Sequence, residues 1–453
     1  MLPDGFLKRM RPLLGEDFAP LIEALTEQEP VRAMRRTSKG RSLSPDALLS
    51  DFAPTPVPYE ADGFYFVGEG IGHTPAHHAG AIYVQDPGAM AAVAAVDIAP
   101  DARIVDLCAA PGGKSSQAQR ALGEDGFLVA NEIHPSRAKT VVSNVERLGM
   151  LRTMVTNLDT GTLCSLYDGY FDLAIVDAPC SGEGMFRKNE QALTEWSEEG
   201  VARCAERQAV ILDHAATMVR PGGRILYSTC TFSPEENELC IDAFLDRHPD
   251  YTLVAPHPRV LPYTKPGLDL PYKHIQQVDF CRRFYPHIAP GEGQFFAVLQ
   301  RTDGADLSII LYKDASFPCQ KTQKTCIESF LKEHIDCPAS LELRIVGDRP
   351  VLCPRGIAVP PRAVFSAGVL VGEVRGERVL PHHQLFSALG HAFRRSVELH
   401  DGDERIAAYL RGEEIADVGD DGFCAVRYEG VTIGGGKRSG HRVKNHYPKG
   451  LRA

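Results

Sequence analysis

The stretch Ile104-Val105-Asp106-Leu107-Cys108-Ala109-Ala110-Pro111-Gly112-Gly113-Lys114-Ser115 reads as a buried strand, a glycine-containing turn and the first turn of a helix. Gly112 and Gly113 allow the backbone to approach a ligand that a Cβ would hold away. The spacing is not GxGxxG, so a dinucleotide fingerprint is not met. Outward from this stretch the same rhythm repeats. Apolar runs at 127–130, 154–155, 173–176 and 225–227 are separated by helical patterns at 115–122, 136–148, 201–219 and 235–246. Strands alternating with helices imply an α/β, Rossmann-like domain, a parallel sheet covered by helices on both faces. Ligands of such sheets bind beyond the carboxyl ends of the strands, which places the turn after residue 108 at the expected site.

With 453 residues the chain is long enough for several cores. The pattern divides it into an N-terminal segment (1–95) that opens with two amphipathic helices, the α/β domain (96–301), a small linking domain rich in Pro and Gly (302–375), and a small α/β module (376–453). The composition, 43% hydrophobic and 24% charged, is that of a globular protein. No apolar run reaches membrane-spanning length, and no h-region follows the first basic residues. A cytoplasmic protein without a membrane partner is therefore expected, and its 12 cysteines are expected to be thiols. Cys108, Cys164, Cys204, Cys240 and Cys281 read as ordinary small core residues. Cys319, Cys326, Cys337 and Cys353 lack the two-to-four-residue spacing of a structural zinc site, so no metal is expected.

The net charge of −10 argues against a generic nucleic-acid coat protein but leaves room for an enzyme with local basic surface. Two runs without an acid qualify, and the first leads us to expect an N-terminal α/β RNA-binding segment over 1–95. One, at 30–45, holds Arg32, Arg35, Arg36, Lys39 and Arg41; the other, at 437–452, holds Lys437, Arg438, Arg442, Lys444, Lys449 and Arg452. Acids fall at the ends of three successive strands. Glu132 is placed to accept ribose hydroxyls, Asp159 to hold an adenine, and Asp177 closes the fourth strand. Cys180 and Cys230 follow the fourth and fifth strands.

Four segments carry a family resemblance. Residues 106–117 (DLCAAPGGKSSQ), 131–149 (NEIHPSRAKTVVSNVERLG), 177–188 (DAPCSGEGMFRK) and 221–237 (PGGRILYSTCTFSPEEN) strongly resemble, in order, the motifs of the NOL1/NOP2/Sun family of RNA cytosine-C5 methyltransferases. Gln85-Asp86-Pro87-Gly88-Ala89-Met90 resembles the motif preceding the catalytic domain, where Ser is more usual than Gly88. The resemblance implies a class I methyltransferase domain that uses S-adenosylmethionine. Its binding residues would be Ala109, Ala110, Pro111, Gly112, Gly113, Lys114, Ser115, Glu132, Arg137, Asp159 and Asp177. The segment 434–452 resembles the end of the bacterial branch that acts on small-subunit 16S ribosomal RNA, which carries a PUA-like RNA-binding module there. The implied partner is that RNA or the small subunit, with no DNA, for a monomeric enzyme.

The chemistry of such a reaction explains a need for thiols. Carbon 5 of cytosine is too weakly nucleophilic to take a methyl group unaided. A thiolate added at carbon 6 makes the ring an enamine, and a base must later remove the carbon-5 proton. Chemistry alone does not choose between the two cysteines. The resemblance implies Cys230 as nucleophile and Cys180 as the group aiding release. Asp177 is expected at the base edge, with Lys114 orienting it or a phosphate. The alternatives are a transfer-RNA cytosine-C5 methyltransferase with the same motifs, or a non-catalytic RNA-binding ribosome-assembly factor, which would need neither cysteine.

Overall fold

The computed structural model describes residues 2–44, 49–302, 304, 314–355, 357–360 and 363–452. Pro45, the last residue of the N-terminal basic run, and part of the segment expected as the linking domain lie outside the described residues. Five parallel strands form the centre: β1 (Arg103–Asp106), β2 (Phe127–Asn131), β3 (Thr153–Thr156), β4 (Phe171–Asp177) and β5 (Val219–Thr229). Their spatial order is 3-2-1-4-5. The chain reverses its direction of travel between β1 and β4, and this switch point opens a crevice at the strand ends.

Alternate residues of a strand face opposite sides, so a sheet buried twice needs apolar side chains at nearly every position. Val105, Val129, Ala174, Val176, Ile225 and Tyr227 point into one layer, packed with Ile211, Leu212, Ala215 and Phe244. Ile104, Leu128, Val155, Ile175 and Leu226 point into the other, against Met90, Ala91, Val141, Val145 and Leu148. Each fully buried Val, Leu or Ile contributes roughly 1.5–3 kcal/mol, so this alternation fixes the register.

The covering helices begin and end on local signals. After α1 (Gly113–Gln119), α2 (Pro135–Leu148) starts with Pro in its first turn and ends at Gly149, whose φ of 64° suits the left-handed cap. In α3 (Glu198–Met218), Ser197 accepts the Gly200 N–H at 3.0 Å. A fourth helix, α4 (Glu238–Arg247), follows β5. Antiparallel strands extend the sheet at both borders, with β6 (Gln294–Arg301) directly beside β5 and β7 (Val364–Ala367) beside β3. The segment 302–375 thus lends a strand to the central sheet.

The N-terminal helices Asp4–Leu14 and Phe18–Thr26 lay Phe6, Met10 and Leu21 against Phe186, Phe232 and Tyr285. Strands of the N-terminal sheet share one core with the C-terminal five-stranded sheet: Met34, Phe64 and Ile82 pack with Val397, Val426 and Ile433. Lys39 joins the same seam, its ammonium donating to the carbonyls of Arg147 and Thr432 and to Ser387 Oγ.

This packing takes part of the basic run at 30–45 away from the surface, while Arg32 and Arg41 stay exposed. Arg35 is 0% exposed and donates to Gln85, Ser116 and the Gly113 carbonyl. Arg36 pairs with Asp62 at 2.8 Å. Lys39 is turned into the seam, and Arg32 pairs with Glu69. Partners distant in sequence take up Arg35, Arg36 and Lys39, whereas Arg41 is exposed at 3.7 Å from Asp62. In the C-terminal run, Arg438 is buried on Asp417, whereas Lys437, Arg442, Lys444, Lys449 and Arg452 are exposed.

Candidate active site

The carboxyl ends of β1, β2, β4 and β5 open into a cleft of about 870 Å³. From the turn after β1, Leu107, Cys108 and Ala110 line it. Asp106 at the end of β1 is buried and receives the Ser115 hydroxyl at 2.5 Å. Burial lifts its carboxyl to about 7, against the Ser115 hydrogen bond. Gly112 has a φ of 113°, a conformation that excludes a β-carbon without strain. The Ala109 N–H is bonded to the Asn131 carbonyl at 2.9 Å, which clamps the turn to β2. Pro111, Gly112, Gly113 and Ser115 form the turn without lining the cleft.

Glu132, at the end of β2, is 2% exposed and lines the cleft. Its Oε1 accepts the His134 N–H at 3.0 Å, while its buried Oε2 accepts no hydrogen bond. Arg137 stands 3.5 Å from Oε2, and its guanidinium also donates to the Ala110 carbonyl. An anionic acceptor left open in a cleft wall fits a ligand bearing hydroxyls, such as the ribose of S-adenosylmethionine. Asp159 is exposed at the cleft edge and caps the next helix through the Thr162 N–H and hydroxyl, which hold its carboxyl below the usual range. Its oxygens keep further lone pairs for a base amino group.

Opposite the turn, Asp177 accepts the Lys114 ammonium at 2.7 Å and the Ser228 hydroxyl at 2.9 Å. Lys114 is buried, so its ammonium serves Asp177 and is not a free phosphate contact. The Cys180 and Cys230 sulfurs lie 3.2 Å apart, and the Cys230 N–H points at Cys180 Sγ at 3.3 Å. The hydrogen bond with Cys230, then burial, push the Cys180 thiol well above its ordinary value. The sequence-predicted residues Ala110, Glu132, Arg137, Asp159, Asp177, Cys180 and Cys230 all line this one cleft.

Residues passed over in the sequence hold the two cysteine loops together. Glu183 accepts the Phe232 N–H and the hydroxyls of Thr231 and Ser233. Glu236 accepts the Ser181 N–H and hydroxyl and the Gln208 amide. Asn237 ties Thr229 to the Thr231 carbonyl. Their signal was acids and an amide within a few residues of each cysteine, which reads as solvated loop until the loops are brought together. Among the described residues no group of three or more His, Cys, Asp or Glu is arranged to hold a metal ion. No helix of the described residues is long and apolar enough to cross a membrane.

A parallel 3-2-1-4-5 sheet with this turn and acid set defines a class I S-adenosylmethionine-dependent methyltransferase. The family described as 16S rRNA methyltransferase RsmB/F matches residues 93–300. Models of the N-terminal domain of 16S rRNA methyltransferase RsmF and of the methyltransferase RsmF PUA domain match residues 2–87 and 396–453. The chain is 31% identical to the ribosomal RNA small subunit methyltransferase F of Cronobacter sakazakii, over 99% of this chain and 96% of that one. The same protein of Klebsiella pneumoniae is also 31% identical, with the same coverage. A solved methyltransferase homolog protein from Pyrococcus horikoshii superimposes with a TM-score of 0.57 at 28% identity, covering 65% of this chain and 94% of that one. The chain belongs to the RsmB/F family of methyltransferases.

Proposed function

We propose that this enzyme methylates carbon 5 of a cytosine in 16S ribosomal RNA through a covalent adduct. The observation that carries the reading is the Cys180–Cys230 pair, two thiols 3.2 Å apart beside Asp177 in the cleft. Methylation of nitrogen or oxygen has no use for paired thiols, whereas an enamine route needs one to add and a proton economy around it. Cys230 adds to carbon 6. Cys180, held as a thiol, offers its proton to the departing sulfur. Asp177, oriented by Lys114 and Ser228, accepts from the cytosine amino group and fixes the edge of the base.

S-adenosylmethionine, when bound, supplies the electrophilic methyl group. Glu132 holds its ribose, Asp159 its adenine, and Ala109 to Ser115 form the turn beneath it, with Arg137 at the rim. The 16S substrate is favoured by the full-length match to relatives named for the small subunit. For the chain's organisation we keep units at 1–95, 96–301, 302–375 and 376–453, the first an RNA-binding segment and the last a PUA-like RNA-binding module. Labelled methyl transfer to naked 16S RNA, small subunits and bulk transfer RNA, followed by bisulfite mapping, tests the reading. A 5-methylcytosine in 16S RNA is expected; label confined to transfer RNA, or to a ring nitrogen or ribose oxygen, overturns it.

A further inference from the structure

Behind the two cysteines runs a chain of hydroxyls and carboxyls that the reaction above leaves unused. Ser181 follows Cys180, Thr231 follows Cys230, and their hydroxyl oxygens are 2.7 Å apart. Ser181 Oγ is also 2.5 Å from Glu236 Oε1, and Thr231 Oγ1 is 2.8 Å from Glu183 Oε2. Both carboxyls are 0% exposed. Three oxygen–oxygen contacts therefore stand in a row, from Glu236 through Ser181 and Thr231 to Glu183.

A hydroxyl has one proton to donate. With both carboxyls ionised, Ser181 and Thr231 each give theirs to a carboxylate, and the 2.7 Å contact between them has none. One added proton at the Glu236 end completes all three bonds: Glu236 donates to Ser181, Ser181 to Thr231, and Thr231 to Glu183. The Glu183 end has no room for that proton, because its oxygens already accept from the Phe232 N–H, the Ser233 hydroxyl and the Trp196 indole at 2.7–2.9 Å. The chain is an acceptor one proton short, and Ser181 lines the cleft.

The surroundings of Glu236 suit such a role. Among the described residues no cation pairs with it. Facing it are Cys180, Cys204 of α3, Tyr227 of β5, Cys240 of α4 and Glu183. Burial raises its carboxyl to about 7 against the Ser181 and Gln208 hydrogen bonds, with the charge of Glu183 adding to the rise. A base is most useful when its strength lies near the working pH.

We propose that Ser181 and Glu236 are the base that removes the carbon-5 proton from the methylated cytosine. The assignment rests on the cytosine-C5 reading. In the step, the C5–H bond breaks and its electron pair becomes the C5–C6 double bond, while the C6–S bond to Cys230 breaks. The proton passes to Ser181 Oγ as that hydroxyl's own proton moves to Glu236. Cys230 leaves as thiolate, hydrogen-bonded by Cys180, and is reprotonated when the Glu236 proton returns.

The test follows tritium release from 16S RNA labelled at cytosine carbon 5, with methyl incorporation measured separately on the full chain. Glu236→Gln and Ser181→Ala should form the methylated covalent species in the first turnover but release tritium about 100-fold more slowly. Ser181→Thr, which keeps the hydroxyl, should restore release. The fall in wild-type release below about pH 7 should vanish in Glu236→Gln. Release at the wild-type rate in either variant overturns the assignment. So does an equal loss of methylation and release, which marks a structural role alone. If the wild type methylates RNA yet retains the tritium, the C5 reading itself fails, and this base with it.

Discussion

The ammonium of Lys114 lies 2.7 Å from Oδ1 of Asp177, joining the first turn of α1 to the last residue of β4. The pair spans the switch point of the sheet, so the helix that shapes the cofactor turn also orients the carboxylate beside the two cysteines. Removing a charged hydrogen bond of this kind costs about 1.5–3 kcal/mol. Lys114→Met is therefore expected to lower kcat by about 10–100-fold while the Kd for S-adenosylmethionine changes little. Isothermal calorimetry beside single-turnover methylation separates the two; a loss confined to cofactor binding would refute the orienting role.

Cys230→Ala should abolish methyl transfer and keep cofactor affinity. Cys180→Ala should instead accumulate a covalent enzyme–RNA species, seen as a denaturant-stable shift on a gel. Turnover by the Cys230 variant would remove the nucleophile assignment.

The open Oε2 of Glu132 predicts a charge-assisted bond to a ligand hydroxyl. Glu132→Gln should weaken S-adenosylmethionine binding by about 10–100-fold, from the usual 1.5–3 kcal/mol of such a bond. Adenine alone should bind both forms equally, since it lacks the ribose.

Lys39 gives a pH dependence to stability. Burial first, then the charge of Arg147, push its ammonium down to about 7. An unfolded lysine keeps its proton up to about 10.4. Between these values the unfolded chain holds more protons than the folded one, so folding stability rises as pH increases through that window. Below about 7 both states are protonated and the penalty of the buried charge is complete. Denaturant unfolding at about pH 7 and about pH 9 should show the gain in the wild type and its absence in Lys39→Met.

Lys437 and Lys444 face each other across adjacent strands of the C-terminal sheet, a like-charge pairing that costs stability. Replacing both with Ala should leave the melting temperature unchanged or raised. It should weaken binding of 16S RNA and flatten the plot of log affinity against log salt by about 0.7–0.9 for each phosphate no longer neutralised. An unchanged slope would take these lysines out of the RNA surface.

Much of the centre was legible. The apolar runs located all five parallel strands, because a doubly covered sheet leaves an unbroken hydrophobic signature. Glu132, Asp177, Cys180 and Cys230 could be placed because strand ends of such a sheet converge on one crevice whatever the loops do. Charge was less readable. Arg35 and Lys39 carry the same formal charge as Lys437 and Lys444, yet Arg35 is buried and Lys39 half-buried on partners 50 to nearly 400 positions away, and nothing local marks that difference.

The sequence by itself determined the sheet, the cofactor turn and the presence of two thiols and three acids at strand ends, since period and position along a strand are local properties. Only the tertiary structure decided that Lys114 serves Asp177, that the sulfurs meet at 3.2 Å, and that Glu183 and Glu236 bracket the Ser181–Thr231 contact. The two sulfurs, like the two hydroxyls, belong to residues 50 positions apart. The packing of β4 beside β5 sets their geometry, and neither strand encodes it alone.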